Sequence, residues 1–70
     1  MKESLNKLDK KIYEIGKECG TFFIDSYILD ELTKMDIDAD ISLVRDSLNK
    51  LIKNNMIEYK FGGYKSLNNK

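Results

Sequence analysis

The sequence predicts one mainly helical α+β domain, with three helices and a small β-hairpin in the order α-β-α-α-β-β. Apolar residues recur at steps of three and four in three separate segments, and after Met56 the period changes to two. The length of 70 residues suffices for only one domain. We expect this domain to span residues 1–67 and the last residues, 68–70, to form a frayed tail.

The first helix is predicted from an apolar stripe with Gly20 beyond its end, where helices often finish in the left-handed conformation. Gly16 lies inside the helix and weakens it by about 1 kcal/mol relative to Ala, so we expect another element to pack closely there. The stripe consists of Leu5, Leu8, Ile12, Ile15 and Cys19.

The second helix is predicted at 26–35, after a short strand. Residues 21–24 are β-branched or aromatic, which favours a strand. Asp25 then stands at the expected N-cap. The apolar face of this helix is predicted to contain Ile28, Leu29, Leu32 and Met35.

The third helix has the clearest period and is predicted at 41–54. Asp38 or Asp40 is expected to accept hydrogen bonds from its first N–H groups. Asn55 suits the left-handed conformation that ends a helix. The apolar stripe consists of Ile41, Val44, Leu48, Leu51 and Ile52.

A β-hairpin is predicted at the C-terminal end. Apolar and charged residues alternate in 57–61, Gly62-Gly63 suits a two-residue turn with both residues at positive φ, and 64–67 returns as the second strand.

Two hairpin registers remain open. A two-residue turn pairs Phe61 with Tyr64, whereas a three-residue turn pairs Tyr59 with Leu67 and suits an apolar face better.

The aromatic residues are expected to divide between core and surface. Tyr64, beside the turn, is the one expected to be exposed. The aromatic residues expected to close the core are Phe22, Phe23, Tyr59 and Phe61.

The segment VRDSLNKLIKNNMI, residues 44–57, resembles the third helix and first wing strand of bacterial winged-helix regulators, and IEYKFGGYK resembles the wing. In those regulators the helix contains Val-Arg followed by two Leu residues, and it is followed by an acidic residue, Gly, Leu and Ile. This chain departs from that pattern because Asn54-Asn55 stands in place of the usual Glu-Gly. The resemblance covers about residues 5–67.

In that family the third helix commonly enters the major groove, and the wing touches the backbone or the minor groove. The resemblance therefore implies a small regulator that binds double-stranded DNA, with a homodimer possible. The predicted DNA contacts are Ser42, Arg45, Asn49, Lys50, Lys53, Lys60, Tyr64 and Lys65.

Six of these side chains have a chemical match to bases or phosphate. A rotation of 100° per residue places the helical ones away from the core, with Arg45 at the edge. Asn49 suits adenine, while Arg45 and Lys50 suit guanine or phosphate. Lys53, with the two hairpin lysines, suits phosphate.

Charge is unevenly distributed, although the net charge is zero. Residues 1–40 hold six Lys and ten acids, a balance of −4, and residues 41–70 hold six Lys or Arg and two acids, a balance of +4. The second half therefore suits an anionic partner.

A protein-interaction module with the same fold is the alternative function. Asp46 faces outward in the proposed recognition surface, where it repels phosphate, and Leu43 is expected to be exposed. The acidic block around residues 30–40 also favours a protein partner. Such a domain would be a complex subunit or an inhibitor of a nucleic-acid enzyme, of host or phage origin, and Leu43 and Asp46 would bind the partner.

Residue types argue against an enzyme and against a metal site or cofactor. The chain has no His and one cysteine, Cys19, which is expected to be a small core residue in a reducing compartment. Residues 36–40 begin like a calcium loop, but Ile41 and Ser47 occupy the positions that need Gly and Glu. Neither a membrane span nor a signal peptide is expected, so the predicted location is the cytoplasm.

Overall fold

Three helices and one antiparallel hairpin form the computed structural model, which describes residues 4–67. This confirms the predicted mainly helical α+β class. The predicted frayed tail lies outside the described residues. The elements are α1 (Lys7–Cys19), α2 (Asp25–Lys34), α3 (Ile41–Lys53), β1 (Ile57–Lys60) and β2 (Gly63–Ser66).

Helix α1 begins with a reciprocal capping box. The Asn6 side chain accepts a hydrogen bond from the Asp9 N–H at 2.8 Å, and the Asp9 carboxylate accepts one from the Asn6 N–H at 3.0 Å. The helix therefore begins at Lys7, two residues after Leu5, the first residue of the predicted apolar stripe. At its other end Gly20 has a φ of 72°, as predicted.

Helix α3 begins where the sequence predicts and ends one residue early. The Asp40 carboxylate accepts a hydrogen bond from the Leu43 N–H at 2.9 Å, so Asp40 is the N-cap. Asn55 has the predicted positive φ, 61°. Because the last helical residue is Lys53, the helix ends one residue earlier than expected.

The N-cap predicted for α2 is wrong. Ile24 occupies the N-cap position, and Asp25 is the first helical residue. The Asp25 carboxylate instead accepts a hydrogen bond from Arg45 on α3 at 2.8 Å. The negative charge of Asp25 in the first turn also interacts favourably with the helix dipole, so Asp25 stabilises the start of α2 although its side chain does not act as the N-cap.

The core lies between the three helices and is closed by Phe23. Its ring packs on Gly16 so closely that a Cβ there would lie 2.8 Å from the ring. This explains why α1 carries a residue that weakens it. Cys19 is half-buried and packs against the core, as predicted. The buried apolar residues are Ile12, Ile15, Phe23, Ile28, Leu32, Val44, Leu48, Leu51 and Ile57.

The strand predicted at 21–24 is reduced to one β-bridge. Phe23 and Tyr64 exchange two backbone hydrogen bonds of 2.8 and 2.7 Å. Only residues 20–24 separate α1 from α2, so the chain has no length for a longer ladder before the next helix begins.

Neither predicted hairpin register is right. Tyr59 pairs with Tyr64, and Glu58 stands opposite Lys65, where opposite charges attract. The turn consists of Phe61 and Gly62, with φ of 56° and 76°.

Gly63, which the sequence places in the turn, lies instead in β2. A Cβ on Gly63 would stand 3.3 Å from the Phe23 carbonyl oxygen. The bridge to Phe23 therefore draws this glycine into the sheet and moves the turn back by one residue.

This register moves several aromatic side chains from their predicted places. Phe61 is 89% exposed and Tyr59 59% exposed, so both core predictions are wrong, and Phe22 is also exposed. Phe23 is buried, as predicted. Tyr64, expected at the surface, is half-buried and stacks on Phe23 with ring centroids 6.0 Å apart.

Replacing the strained turn residue is expected to stabilise the protein. A bulky side chain at positive φ costs about 1–2 kcal/mol, whereas Asn tolerates this turn position well. We expect Phe61→Asn to raise the free energy of unfolding by about 1 kcal/mol in urea titrations. Lys60→Asn, at a strand position, should give no gain. An unchanged or lower stability of the Phe61 variant would contradict the strain.

Candidate nucleic-acid interface

The exposed face of α3 carries the polar row that the sequence predicts. Its members follow one another along successive turns, and each is exposed. Asp46 is exposed beside them, and Leu43 is 46% exposed near the start of the helix. We call this face the α3 row, and it consists of Ser42, Arg45, Asn49 and Lys53.

An ion pair joins the α3 row to the start of α2. Arg45 Nε donates to Asp25 Oδ2 at 2.8 Å, with 63% of the Arg45 side chain and 23% of the Asp25 side chain exposed. This hydrogen bond holds the pKa of Asp25 below its usual value and raises that of Arg45. A guanidinium has several N–H donors in a fork, so a bond through Nε leaves others for a second acceptor.

Tyr64 brings the hairpin next to this ion pair. Burial is the main reason that the pKa of Tyr64 is raised, the negative charge of Asp25 adds to the rise, and Arg45 opposes it. The phenol on β2 therefore lies within electrostatic range of both charged groups. The backbone bridge from Tyr64 to Phe23, two residues before Asp25, brings the hairpin close to the α3 row at the start of α2.

The hairpin end combines two cations with two aromatic rings. The rings of Phe22 and Phe61 meet edge to face with centroids 5.9 Å apart. Lys65 Nζ lies 5.6 Å from the Phe22 centroid, and Lys60 Nζ lies 6.0 Å from the Phe61 centroid. The Lys60–Glu58 ion pair is long, at 3.9 Å. We call Phe22, Lys60, Phe61 and Lys65 the hairpin cluster.

The predicted outward position of Lys50 is wrong. Its Nζ lies 2.9 Å from Asp9 Oδ2 on α1, and 29% of its side chain is exposed. Ser47 donates its hydroxyl proton to Asp9 Oδ1 at 2.5 Å. The four residues Asn6, Asp9, Ser47 and Lys50 form the Asp9 cluster. The buried, negatively charged Asp9 carboxylate on α1 attracts the ammonium group of Lys50 inward.

The carboxylate at the centre of this cluster is fully buried yet ionised. Burial alone would raise the pKa of Asp9, but hydrogen bonds from Ser47, Lys50 and the Asn6 backbone together outweigh it and leave the pKa below its usual value. A charge buried with this set of donors ties α1 to α3. The Asp9 carboxylate has a structural role, because both Asp9 and its donor Ser47 are buried away from any surface ligand.

Sequence reasoning missed Asp9, Phe22 and Phe61 as important side chains. For Asp9 a signal exists, since Asn6-x-x-Asp9 is the spacing of a capping box, and Asp9 lies three residues before Ile12 on the buried side of α1. For the two aromatic residues no local signal exists: the exposure of Phe61 follows from the hairpin register, and Phe22 precedes Phe23, whose ring is the buried one.

Comparisons with known proteins add no relative. No family model, no curated protein and no solved structure matches this chain. Within residues 4–67, no helix has the length and apolar character needed to cross a membrane. In the same range no three His, Cys, Asp or Glu side chains are grouped to hold a metal ion.

Loss of the buried charge is expected to destabilise the protein in a pH-dependent way. Asp9→Asn should lower the free energy of unfolding by about 2 kcal/mol at neutral pH, because Lys50 and Ser47 lose a charged acceptor. The folded pKa of Asp9 lies below its unfolded value of 3.8. Its stabilisation is therefore complete above that pH and is lost as the pH falls through the folded pKa.

Urea titrations at several pH values test this. The difference between wild type and Asp9→Asn should shrink as the medium is acidified below the unfolded pKa. Asp30→Asn, at an exposed position on α2, serves as the control and should change little. If Asp9→Asn fails to fold, Ser47→Ala should still fold with a loss of about 1 kcal/mol. A pH-independent difference would contradict the role of the charge.

Proposed function

We propose that this chain is a small domain that binds double-stranded DNA, using the α3 row and the hairpin as one surface. The observation that carries the proposal is their adjacency: Arg45 on α3 bonds to Asp25, and Tyr64 on β2 is bridged to Phe23, two residues before Asp25. A helix face and a cationic hairpin side by side match a groove and the phosphates along its edge.

The polar groups of this surface suit different parts of the duplex. Asn49, exposed at the centre of α3, matches the paired donor and acceptor of adenine, and the Arg45 guanidinium matches guanine. Lys53, Lys60 and Lys65 are exposed and suit phosphate, which positions a protein without selecting a sequence. The base-selecting contacts therefore belong to α3.

Lys50 is left out of this surface. Its ammonium group contacts a buried carboxylate on α1, so engaging a phosphate would require breaking that contact. The remaining cations are few, and a single copy would bind weakly at physiological salt. We therefore also propose that a homodimer binds the DNA as a transcriptional regulator in the cytoplasm.

A protein-interaction module is the second candidate. It is favoured by the exposed Leu43 and Asp46, which interrupt the polar row with an apolar and an acidic side chain. Such a surface suits a partner with an apolar pocket rimmed by basic groups. The domain would then act as a complex subunit or as an inhibitor of a nucleic-acid enzyme.

DNA binding is expected to depend steeply on salt. Three phosphate contacts per copy predict a slope of about −3 for each bound copy, in the logarithm of the association constant against the logarithm of salt concentration. Lys60→Gln combined with Lys65→Gln should reduce that slope by about 2. Fluorescence anisotropy with a labelled random duplex measures both.

Lys34→Gln is the matched control for this experiment. Lys34 lies at the end of α2 remote from Asp25, is exposed and pairs with Glu31 at 3.3 Å. Its loss should leave both affinity and slope unchanged. No binding to duplex even at low salt would contradict the proposed function, and equal effects of the control and the double variant would contradict the proposed surface.

Neutralising Asp46 separates the two candidate functions. If α3 faces phosphates, Asp46→Asn removes a repulsion and should raise duplex affinity about three-fold to ten-fold at low salt. Asp38→Asn, in the connection before α3, is the control and should have a smaller effect. Unchanged DNA affinity in Asp46→Asn would favour the protein-interaction module.

A further inference from the structure

Phe61 is the most exposed large apolar residue of the described chain, and its backbone is strained. The side chain is 89% exposed, and its φ of 56° is one that bulky residues rarely adopt. Asn or Gly would fit this turn position without strain. The turn therefore holds an aromatic ring in solvent at a cost in stability.

Neighbouring side chains fix the position of this ring. Phe22, 38% exposed, supports it edge to face from the segment before α2. Lys60 and Lys65 lie over the two rings, on strands β1 and β2. The hairpin cluster thus presents an exposed aromatic ring with a positive charge on either strand.

A nucleic-acid base beside its phosphates is the ligand chemistry that complements this arrangement. Exposed aromatic rings bind bases by stacking, and adjacent lysines bind the flanking phosphates. In an intact duplex the base faces are covered by their neighbours, so a ring inserts only after a step is unstacked. A mismatched or unpaired base lowers that cost.

We propose that the hairpin cluster binds DNA at a locally unpaired or mismatched step, with the Phe61 ring stacked on an exposed base and the two lysines on the adjoining phosphates. This inference rests on the proposed DNA-binding function and deepens it. The α3 row grips the neighbouring duplex, while the hairpin distinguishes damaged or opened DNA from perfectly paired DNA.

The test compares two labelled DNA hairpins of equal length and phosphate number. One stem is fully paired, and the other contains two adjacent T·T mismatches. Fluorescence anisotropy should show about ten-fold tighter binding of wild type to the mismatched stem. Phe61→Asn should lose this preference and bind both stems equally, although its fold is expected to be more stable.

Two further variants separate stacking from apolar contact. Phe61→Leu keeps an apolar side chain without a π face and should lose most of the preference. Phe61→Trp should keep it, and because the chain has no other Trp, its fluorescence reports directly on the ring. Quenching should be stronger with the mismatched stem. Met35→Ala, at another exposed apolar position, should keep the wild-type preference.

The outcomes distinguish this inference from the function on which it rests. Equal binding of wild type to both stems, or a preference that survives in Phe61→Asn, overturns the stacking role and leaves DNA binding intact. Absence of binding to either stem overturns both. Phe61-dependent binding to vesicles of anionic lipid, without a preference between the stems, also overturns it and assigns the cluster to a membrane surface.

Discussion

The buried carboxylate of Asp9 is the interaction on which the arrangement of α1 and α3 depends. Removing a charge from water costs several kcal/mol, and only a complete set of donors offsets that cost. Ser47, Lys50 and the Asn6 N–H supply them, at 2.5, 2.9 and 3.0 Å. Two donors come from α3 and one from the start of α1, so the same carboxylate begins one helix and fixes the other against it.

That contact acts together with the buried Val44, Leu48 and Leu51 to set which side of α3 faces outward. With Ser47 and Lys50 directed toward α1, the α3 row lies on the exposed side, where Arg45 pairs with Asp25 at the start of α2. Stability and the proposed function therefore draw on different residues of one helix. The hairpin shows the opposite balance, because Phe61 opposes stability and is proposed to serve binding.

Local patterns predicted the helices and missed what distant contacts decide. The period of three to four predicted all three helices, and Asp40, one of two N-cap candidates, and Asn55 lie at the ends of α3 where the sequence indicates. The Gly62-Gly63 pair suggested the wrong turn, because the bridge to Phe23, about 40 residues earlier, draws Gly63 into the sheet. Lys50 was assigned to the surface for the same reason, since its partner is 41 residues away. The DNA contacts stay predictions.

Backbone amide shifts during titration with duplex DNA test the central claim most directly. In ¹⁵N-resolved spectra of the wild-type protein, the largest changes should fall on the α3 row, on 60–65 and around Asp25. Amides at the start of α1, around Asp9, should change little, because Asp9 is fully buried against α3. Changes centred on α1, or spread evenly over the chain, would contradict a surface formed by α3 and the hairpin.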